Sequence, residues 1–405
     1  MINLRDVMAN LNTGNLVRLD KLVQSARRNG PAMKAGLATA TLQPVPPHLR
    51  EVRDFGSNPG NLRMLTYLPE NLPSEAALVV VLHGCTQTAE GYDLGAGWST
   101  IADRYGFALL LPEQQRSNNP NNCFNWFQPE DSQRDRGEAL SIRQMIETIA
   151  VDQRIDRRRI FITGLSAGGA MTSVMLACYP EVFAGGAIIA GLPFGAATNV
   201  QQAFESMFQS PARPAREWGD LVRKASPHAG PWPRVSVWHG SVDTTVIPPN
   251  ADEIIKQWTD VHGLAIAPSR RVNVDGHPRE VWTDGNGAEQ IESYTIANMA
   301  HGTPLATSEA VGACGEAGPF LLQVGISSSY HIAKFFNLAV AHPRESQRAQ
   351  PSEAFPAPGL KGTILDKDFD QSPNRAANTR RPPSSPFEIG TVIAKALKAA
   401  GLMRP

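Results

Sequence analysis

Residues 159–180 read RIFITGLSAGGAMTSVMLACYP. The first third is an apolar run suited to a strand, the last half is rich in Ala, Met and Leu suited to a helix, and Gly164, Leu165, Ser166, Ala167 and Gly168 stand between them. A strand that turns this abruptly into a helix needs glycine at the flanking positions, because a Cβ there would collide with neighbouring backbone. The turn lifts the Ser166 hydroxyl above the end of the strand. It also points it at the helix N-terminus, where free N–H groups and the positive dipole end favour developing negative charge. The stretch therefore reads as a nucleophile elbow with Ser166 as the nucleophile. An ordinary glycine-rich loop would not explain why a serine occupies the strained position.

On either side of this segment, short apolar runs alternate with longer mixed segments from about residue 62 onward. The strands read as NLRMLTYLP, ALVVVLHG, FALLLPEQ, RIFITGLS, GGAIIAGL, RVSVWHG and IESYTIAN, with helical segments near 96–105, 138–152, 167–179, 251–262 and 330–340. Each helical segment is long enough for a right-handed crossover, which predicts a doubly wound, mostly parallel sheet: an α/β protein with the α/β-hydrolase fold. Around this core, residues 4–27 predict extra N-terminal amphipathic helices, and QPVPPHLR at 43–50 cannot continue them. After His342 the composition shifts to Pro, Ser, Arg and Gln, ending in PFEIGTVIAKALKAAGL, whose apolar residues share one helical face. The expected organisation is an N-terminal segment and linker over 1–50, a catalytic domain over 51–342, and a Pro-rich tail with a terminal amphipathic helix over 343–405.

A serine hydroxyl is a weak nucleophile at neutral pH, so a histidine must take its proton and an acid must orient that histidine. In this fold the acid follows the serine in sequence and the histidine follows the acid. Asp243 stands just beyond the strand RVSVWHG, at the carboxyl end of the sheet where active-site loops gather. Its competitors Asp260, Asp275 and Asp284 fall in a helical stretch or in glycine-bearing turns. For the base, His301 follows the strand IESYTIANMA and precedes Gly302, on a loop that can return to Ser166. His262 ends a helix, His277 lies in the VDGHPRE turn and His331 begins a helix, so these read as structural or surface residues. Ser166, Asp243 and His301 are the candidate catalytic residues.

An oxyanion formed at Ser166 needs two N–H donors. Ala167 supplies one, and the loop after ALVVVLHG supplies the other, with Cys85 as the donor where His83 and Gly84 let the backbone turn. Cys85 and Cys123 follow two different strands at the same edge of the predicted sheet, so a bridge between them would pin this loop. It would also hold Trp126 and Phe127 over the site, making Trp126 a candidate substrate-binding residue or, equally, a packing residue. Cys178 with Cys314 would make a second bridge.

The bulk numbers narrow the partner. Lys and Arg together number 38 and so do Asp and Glu, leaving a formal net charge of zero and no electrostatic footprint for nucleic acid. No run approaches the roughly 20 apolar residues of a membrane-spanning helix. The first thirty residues show no unbroken apolar block of a secretory signal, so a cytoplasmic location is one expectation. The four cysteines fit no zinc spacing, and no metal or cofactor is expected.

Several segments together resemble the polyhydroxybutyrate (PHB) depolymerase family of esterases: LVVVLHGCTQT, YGFALLLPEQ, NNCFNWFQPED, RGEALSIRQMI, the long block from RRIFITGLSAGG to LPFGAA, and VWHGSVDTTVIP. They span about residues 60–305, and the domain is also similar to feruloyl and acetyl xylan esterases. The resemblance implies hydrolysis of short-chain hydroxyalkanoate esters, oligomers or polyester through Ser166, Asp243 and His301, without metal or cofactor. It also implies an extracellular enzyme. A feruloyl or acetyl xylan esterase is the alternative in the same class. In another class, a non-catalytic polymer- or granule-binding protein would use the amphipathic ends for attachment.

Overall fold

The computed structural model describes residues 48–308 and 311–339; the N-terminal helices and the Pro-rich tail expected from the sequence lie outside these residues. The strands are β1 (Arg50–Val52), β2 (Arg63–Tyr67), β3 (Leu78–Leu82), β4 (Ala108–Glu113), β5 (Ile160–Leu165), β6 (Gly185–Ile189), β7 (Arg234–Gly240), β8 (Arg270–Val274), β9 (His277–Thr283) and β10 (Glu289–Ile296). They form one ten-stranded sheet in the order β1-β2-β4-β3-β5-β6-β7-β10-β9-β8. From β4 to β10 every neighbouring pair is parallel. The antiparallel pairs lie at the two edges. A further pair, β11 (Thr303–Leu305) with β12 (Leu321–Gln323), stands apart.

The helices are α1 (Ala89–Ala96), α2 (Trp98–Tyr105), α3 (Pro129–Ser132), α4 (Gly137–Asp152), α5 (Ala167–Cys178), α6 (Val200–Gln209), α7 (Ala215–Ala225), α8 (Pro249–His262) and α9 (Ser328–Phe335). They cover both faces because the central strands are apolar on both faces, as parallel strands buried in α/β proteins must be. In β3, Leu78, Val80 and Leu82 enter one core with α4, α5 and α8, while Val79 and Val81 enter a second core with α1, α2 and α9.

The chain leaves β3 toward α1 and α2 on one face and leaves β5 toward α5 on the other. Since β3 and β5 are neighbours, this is the point where the winding reverses, the position at the carboxyl ends of the strands where open α/β sheets bind ligands. The Ser166 turn and the Cys85 loop follow directly on these two strands.

Several elements differ from the sequence reading. His277 begins β9 and is buried, with Nε2 donating to the Val324 carbonyl at 3.1 Å, whereas a turn was expected. The turn itself is Asp275-Gly276, with φ of 50° and 86°, joining β8 to β9. Two positive φ values in a two-residue loop match the right-handed twist of the paired strands. At the other end of the body, His48 and Leu49 already pack on it: His48 Nε2 lies 2.8 Å from Asp93 Oδ2, and Leu49 is buried in the second core.

Candidate active site

Ser166 sits between β5 and α5 at φ 58° and ψ −116°, a backbone region that costs energy for any residue with a side chain. The surrounding contacts hold it there. Ser166 N–H donates to the Ile189 carbonyl at 2.9 Å. A Cβ on Gly164 would come within 2.4 Å of the Gly168 carbonyl carbon, and one on Gly168 within 2.4 Å of the Leu82 carbonyl oxygen. Both glycines are therefore required by close backbone approach.

His301 lies on the loop between β10 and β11. Its Nε2 is 2.8 Å from Ser166 Oγ and its Nδ1 is 2.7 Å from Asp243 Oδ2, so the serine hydroxyl donates to the ring and the ring donates to the carboxylate. The three side chains are nearly enclosed, with Ser166 9%, His301 8% and Asp243 2% exposed. Asp243 Oδ1 is occupied separately by the N–H groups of Thr245 at 2.8 Å and Val246 at 3.0 Å. Burial works to raise the Asp243 carboxyl, but the charge of His301 and its hydrogen bond outweigh it. The carboxyl is held well below its usual range. The sequence placed all three residues on loops at strand ends, and the fold brings them within hydrogen-bonding reach.

The loops carrying Asp243 and His301 are stitched together. Val242 N–H donates to the Met299 carbonyl at 3.1 Å, and Asn298 N–H donates to Ser241 Oγ at 2.9 Å. A Cβ on Gly240 would meet the Met299 carbonyl oxygen at 2.2 Å, so this approach also depends on glycine. Phe320, which the sequence reading did not single out, sets the edge of its ring against His301, with centroids 6.0 Å apart at 83°. The competing acids are occupied elsewhere. Asp260 pairs with Arg223 at 2.6 Å, Asp275 with His331 at 2.8 Å, and Asp284 accepts N–H groups of its own turn.

On the other side of Ser166, Ala167 opens α5, where the first N–H groups have no intrahelical acceptor. In the loop after β3, Gly84 N–H donates to Gln87 Oε1 at 2.8 Å and Thr86 N–H to the Asn121 carbonyl at 2.7 Å. The Cys85 N–H between them has no acceptor among the described residues. The positive φ of this turn falls on Thr86, at 66°. His83 is fully buried, which pushes its ring below the ordinary value. Its Nδ1 donates to the Gly84 carbonyl at 2.8 Å while Nε2 accepts from Gln114 N–H at 3.1 Å, so this neutral ring ties the ends of β3 and β4 together.

Cys85 and Cys123 form a disulfide with Cα atoms 4.3 Å apart. Cys178 and Cys314 do not form a second bridge: both are free and buried. They belong to the two cores on opposite faces of the sheet, so no side-chain motion could join them. Beyond Cys123, Asn125 is held by Glu138, which accepts from its backbone N–H at 2.9 Å and its Nδ2 at 2.8 Å. Burial, with the nearby charge of Asp131, pushes the Glu138 carboxyl up to about 8. Trp126 follows at 7% exposure in the core that also contains Ala167, its ring edge-on to Phe127. Most of its surface is thus spent on packing.

A cross-link closing a loop with a sequence separation of 38 restricts the unfolded chain by about 4 kcal/mol on the chain-entropy account. Replacing Cys85 and Cys123 together by Ala retains the Cys85 N–H and is expected to lower the unfolding free energy by about that amount in a denaturant titration. An unchanged midpoint would mean that restriction of the unfolded chain is not what this bridge contributes. Among the described residues, no three His, Cys, Asp or Glu side chains cluster so as to hold a metal ion.

Comparison with solved structures places this fold beside the acetyl xylan esterase from Aspergillus awamori, with a TM-score of 0.61 and 26% identity, covering 72% of this chain and 99% of that one. The class is therefore that of the α/β-hydrolase esterases, and the chain is a carboxylic ester hydrolase. The family described as esterase PHB depolymerase matches residues 62–281, and the chain belongs to that family. It is 46% identical over 291 residues to poly(3-hydroxyalkanoate) depolymerase C from Paucimonas lemoignei, covering 72% of this chain and 70% of that protein. It is also 34% identical over 284 residues to feruloyl esterase B from Neurospora crassa, covering 68% of this chain and 94% of that protein.

Proposed function

We propose that the protein is a serine hydrolase of short-chain hydroxyalkanoate esters, acting on oligomers or polyester through an acyl-enzyme on Ser166. The observation that carries this reading is the relay from Ser166 Oγ through His301 to Asp243, at 2.8 and 2.7 Å. His301 takes the Ser166 proton as Oγ attacks the ester carbonyl, and Asp243 keeps the proton-bearing nitrogen on its own side and stabilises the imidazolium. The N–H groups of Ala167 and Cys85 receive the oxyanion. His301 then hands the proton to the leaving alcohol, and water enters by the same route reversed. Trp126 walls the substrate cleft in this reading, supported by its place on the segment that Cys123 ties to the Cys85 loop.

The substrate class is supported by the identity to the poly(3-hydroxyalkanoate) depolymerase. An extracellular or otherwise oxidising location is supported by the Cys85–Cys123 bridge, since such bonds persist outside reducing compartments. No described helix is long and apolar enough to cross a membrane. The relatives named for feruloyl and acetyl xylan ester hydrolysis favour a second reading at the same site, because one fold and one relay serve many acyl groups. A hydrolysis panel separates the two. On 3-hydroxybutyrate oligomers, nitrophenyl esters of short acids and methyl ferulate, kcat/KM is expected to be at least about 10-fold higher on the oligomers than on methyl ferulate, a difference of about 1.4 kcal/mol in transition-state binding. The reverse order would give the site to the feruloyl reading.

A further inference from the structure

We propose that His239 is a positioning residue for the relay: by giving its Nε2–H to the Val246 carbonyl, it fixes the turn that aims Asp243 at His301. The inference rests on the catalytic reading of Ser166, His301 and Asp243 and extends it to a histidine that neither the order of the motif nor the proton path requires.

His239 is the next-to-last residue of β7, four positions before Asp243, and its ring is 3% exposed. Nε2 lies 2.7 Å from the Val246 carbonyl oxygen. A carbonyl only accepts, so the proton is on Nε2. Nδ1 is buried and has no partner among the described residues. A proton there would be a buried donor without an acceptor, so the N–H that the ring offers its surroundings is the one on Nε2.

Val246 is consequently held at both ends of its peptide units, its N–H by Asp243 Oδ1 at 3.0 Å and its carbonyl by His239. Asp243 divides its oxygens between two tasks. Oδ1 closes the turn by accepting from Thr245 and Val246, while Oδ2 lies 2.7 Å from His301 Nδ1 and 3.5 Å from His239 Nε2. If the Val246 carbonyl lost its donor, the turn would keep only its bonds to Oδ1, and the direction of Oδ2 toward His301 would be held less tightly. Displacements of this kind weigh on turnover, since a misplacement of about 1 Å can cost on the order of 100-fold in rate.

The competing account is a histidine that only fills space at the strand end. In that case any neutral side chain of similar volume would serve. His239→Leu fills the space without a donor, whereas His239→Gln can place an amide N–H near the position of Nε2. With thermal unfolding monitored to confirm folding, His239→Leu is expected to lower kcat on a nitrophenyl ester by about 10- to 100-fold with KM within about 2-fold. His239→Gln is expected to recover most of that loss. Should the Leu variant not fold, His239→Met, unbranched and adaptable in irregular spaces, takes its place. In an Asp243→Asn background, removing the His239 donor is expected to cost less than about 2-fold more, because the effect passes through Asp243.

Equal kcat for the Leu and Gln variants would overturn the proposal. A Leu penalty that persists undiminished beside Asp243→Asn would overturn it as well. The catalytic reading is tested separately on the same substrate by whether the parent's hydrolysis vanishes in Ser166→Ala. If it does not, that reading has failed before His239 is considered.

Discussion

Ser166→Ala is expected to fold as the parent does and to lose ester hydrolysis by on the order of 10⁴-fold or more. The first half of this expectation comes from the elbow. The strain at φ 58° arises from the backbone and Cβ, both of which alanine keeps, and the substitution adds no atom to the tight contacts around Gly164 and Gly168. The second half comes from Oγ, whose one side-chain partner among the described residues is His301 Nε2. Without it the oxyanion donors and the substrate cleft remain, but no bond to the acyl carbon can form, and the residual rate is what binding and oxyanion stabilisation provide. Hydrolysis within a few fold of the parent, measured on a short nitrophenyl ester, would remove Ser166 from the mechanism.

His301→Ala is expected to be about as damaging, because members of such a relay act as a unit and their losses do not add. The discriminating comparison is with two other histidines downstream of Asp243. His277 spends its Nε2 on the Val324 carbonyl and His331 pairs with Asp275, so neither is free for proton transfer at Ser166. Their alanine variants are expected to keep kcat/KM within a few fold. If either proved as severe as His301→Ala, the base would have been misassigned. A double Ser166→Ala, His301→Ala variant is expected to be no worse than either single one.

The central part of this architecture was legible because its signals are local. A strand that ends in Gly-Leu-Ser-Ala-Gly and continues as a helix leaves little choice of backbone, and Asp243 and His301 could be found because each follows directly on a strand whose apolar pattern was plain. The β8–β9 hairpin was missed for the opposite reason. RRVNV and HPREVWT lie toward the sheet edge and carry charged side chains, so neither has the continuous apolar run of a central strand, although the Asp275-Gly276 pair between them was a usable hairpin signal. Helix α7 was missed because Pro211, Pro214 and Gly219 break the pattern, and its packing against α8 is a tertiary contact that no local period reports. His239 could not be recognised from sequence either. Its role depends on which nitrogen faces the Val246 carbonyl, and only the three-dimensional turn shows that.

The Cys85–Cys123 bridge was inferable because both cysteines hang from neighbouring strands at one end of the sheet. The Cys178–Cys314 pair could not be decided from sequence, because sequence order says nothing about which face of the sheet a residue occupies. Once the layers are known, the two sulfurs are separated by the thickness of the sheet and its packed helices.

That same separation determines how the protein tolerates change. The elbow helix α5 packs in one core, while Ile101 of α2 and Phe335 of α9 pack in the other. Substitutions with no shared neighbours combine almost independently, to within about 0.3–0.5 kcal/mol. Sequence drift around Ile101 and Phe335 can therefore accumulate, or be exploited to raise stability, with little coupling to α5. Both layers nevertheless reach the relay, since Ala167 packs with α4, α5 and α8 while Leu165, next to Ser166, and Met299, on the His301 loop, pack with α1, α2 and α9.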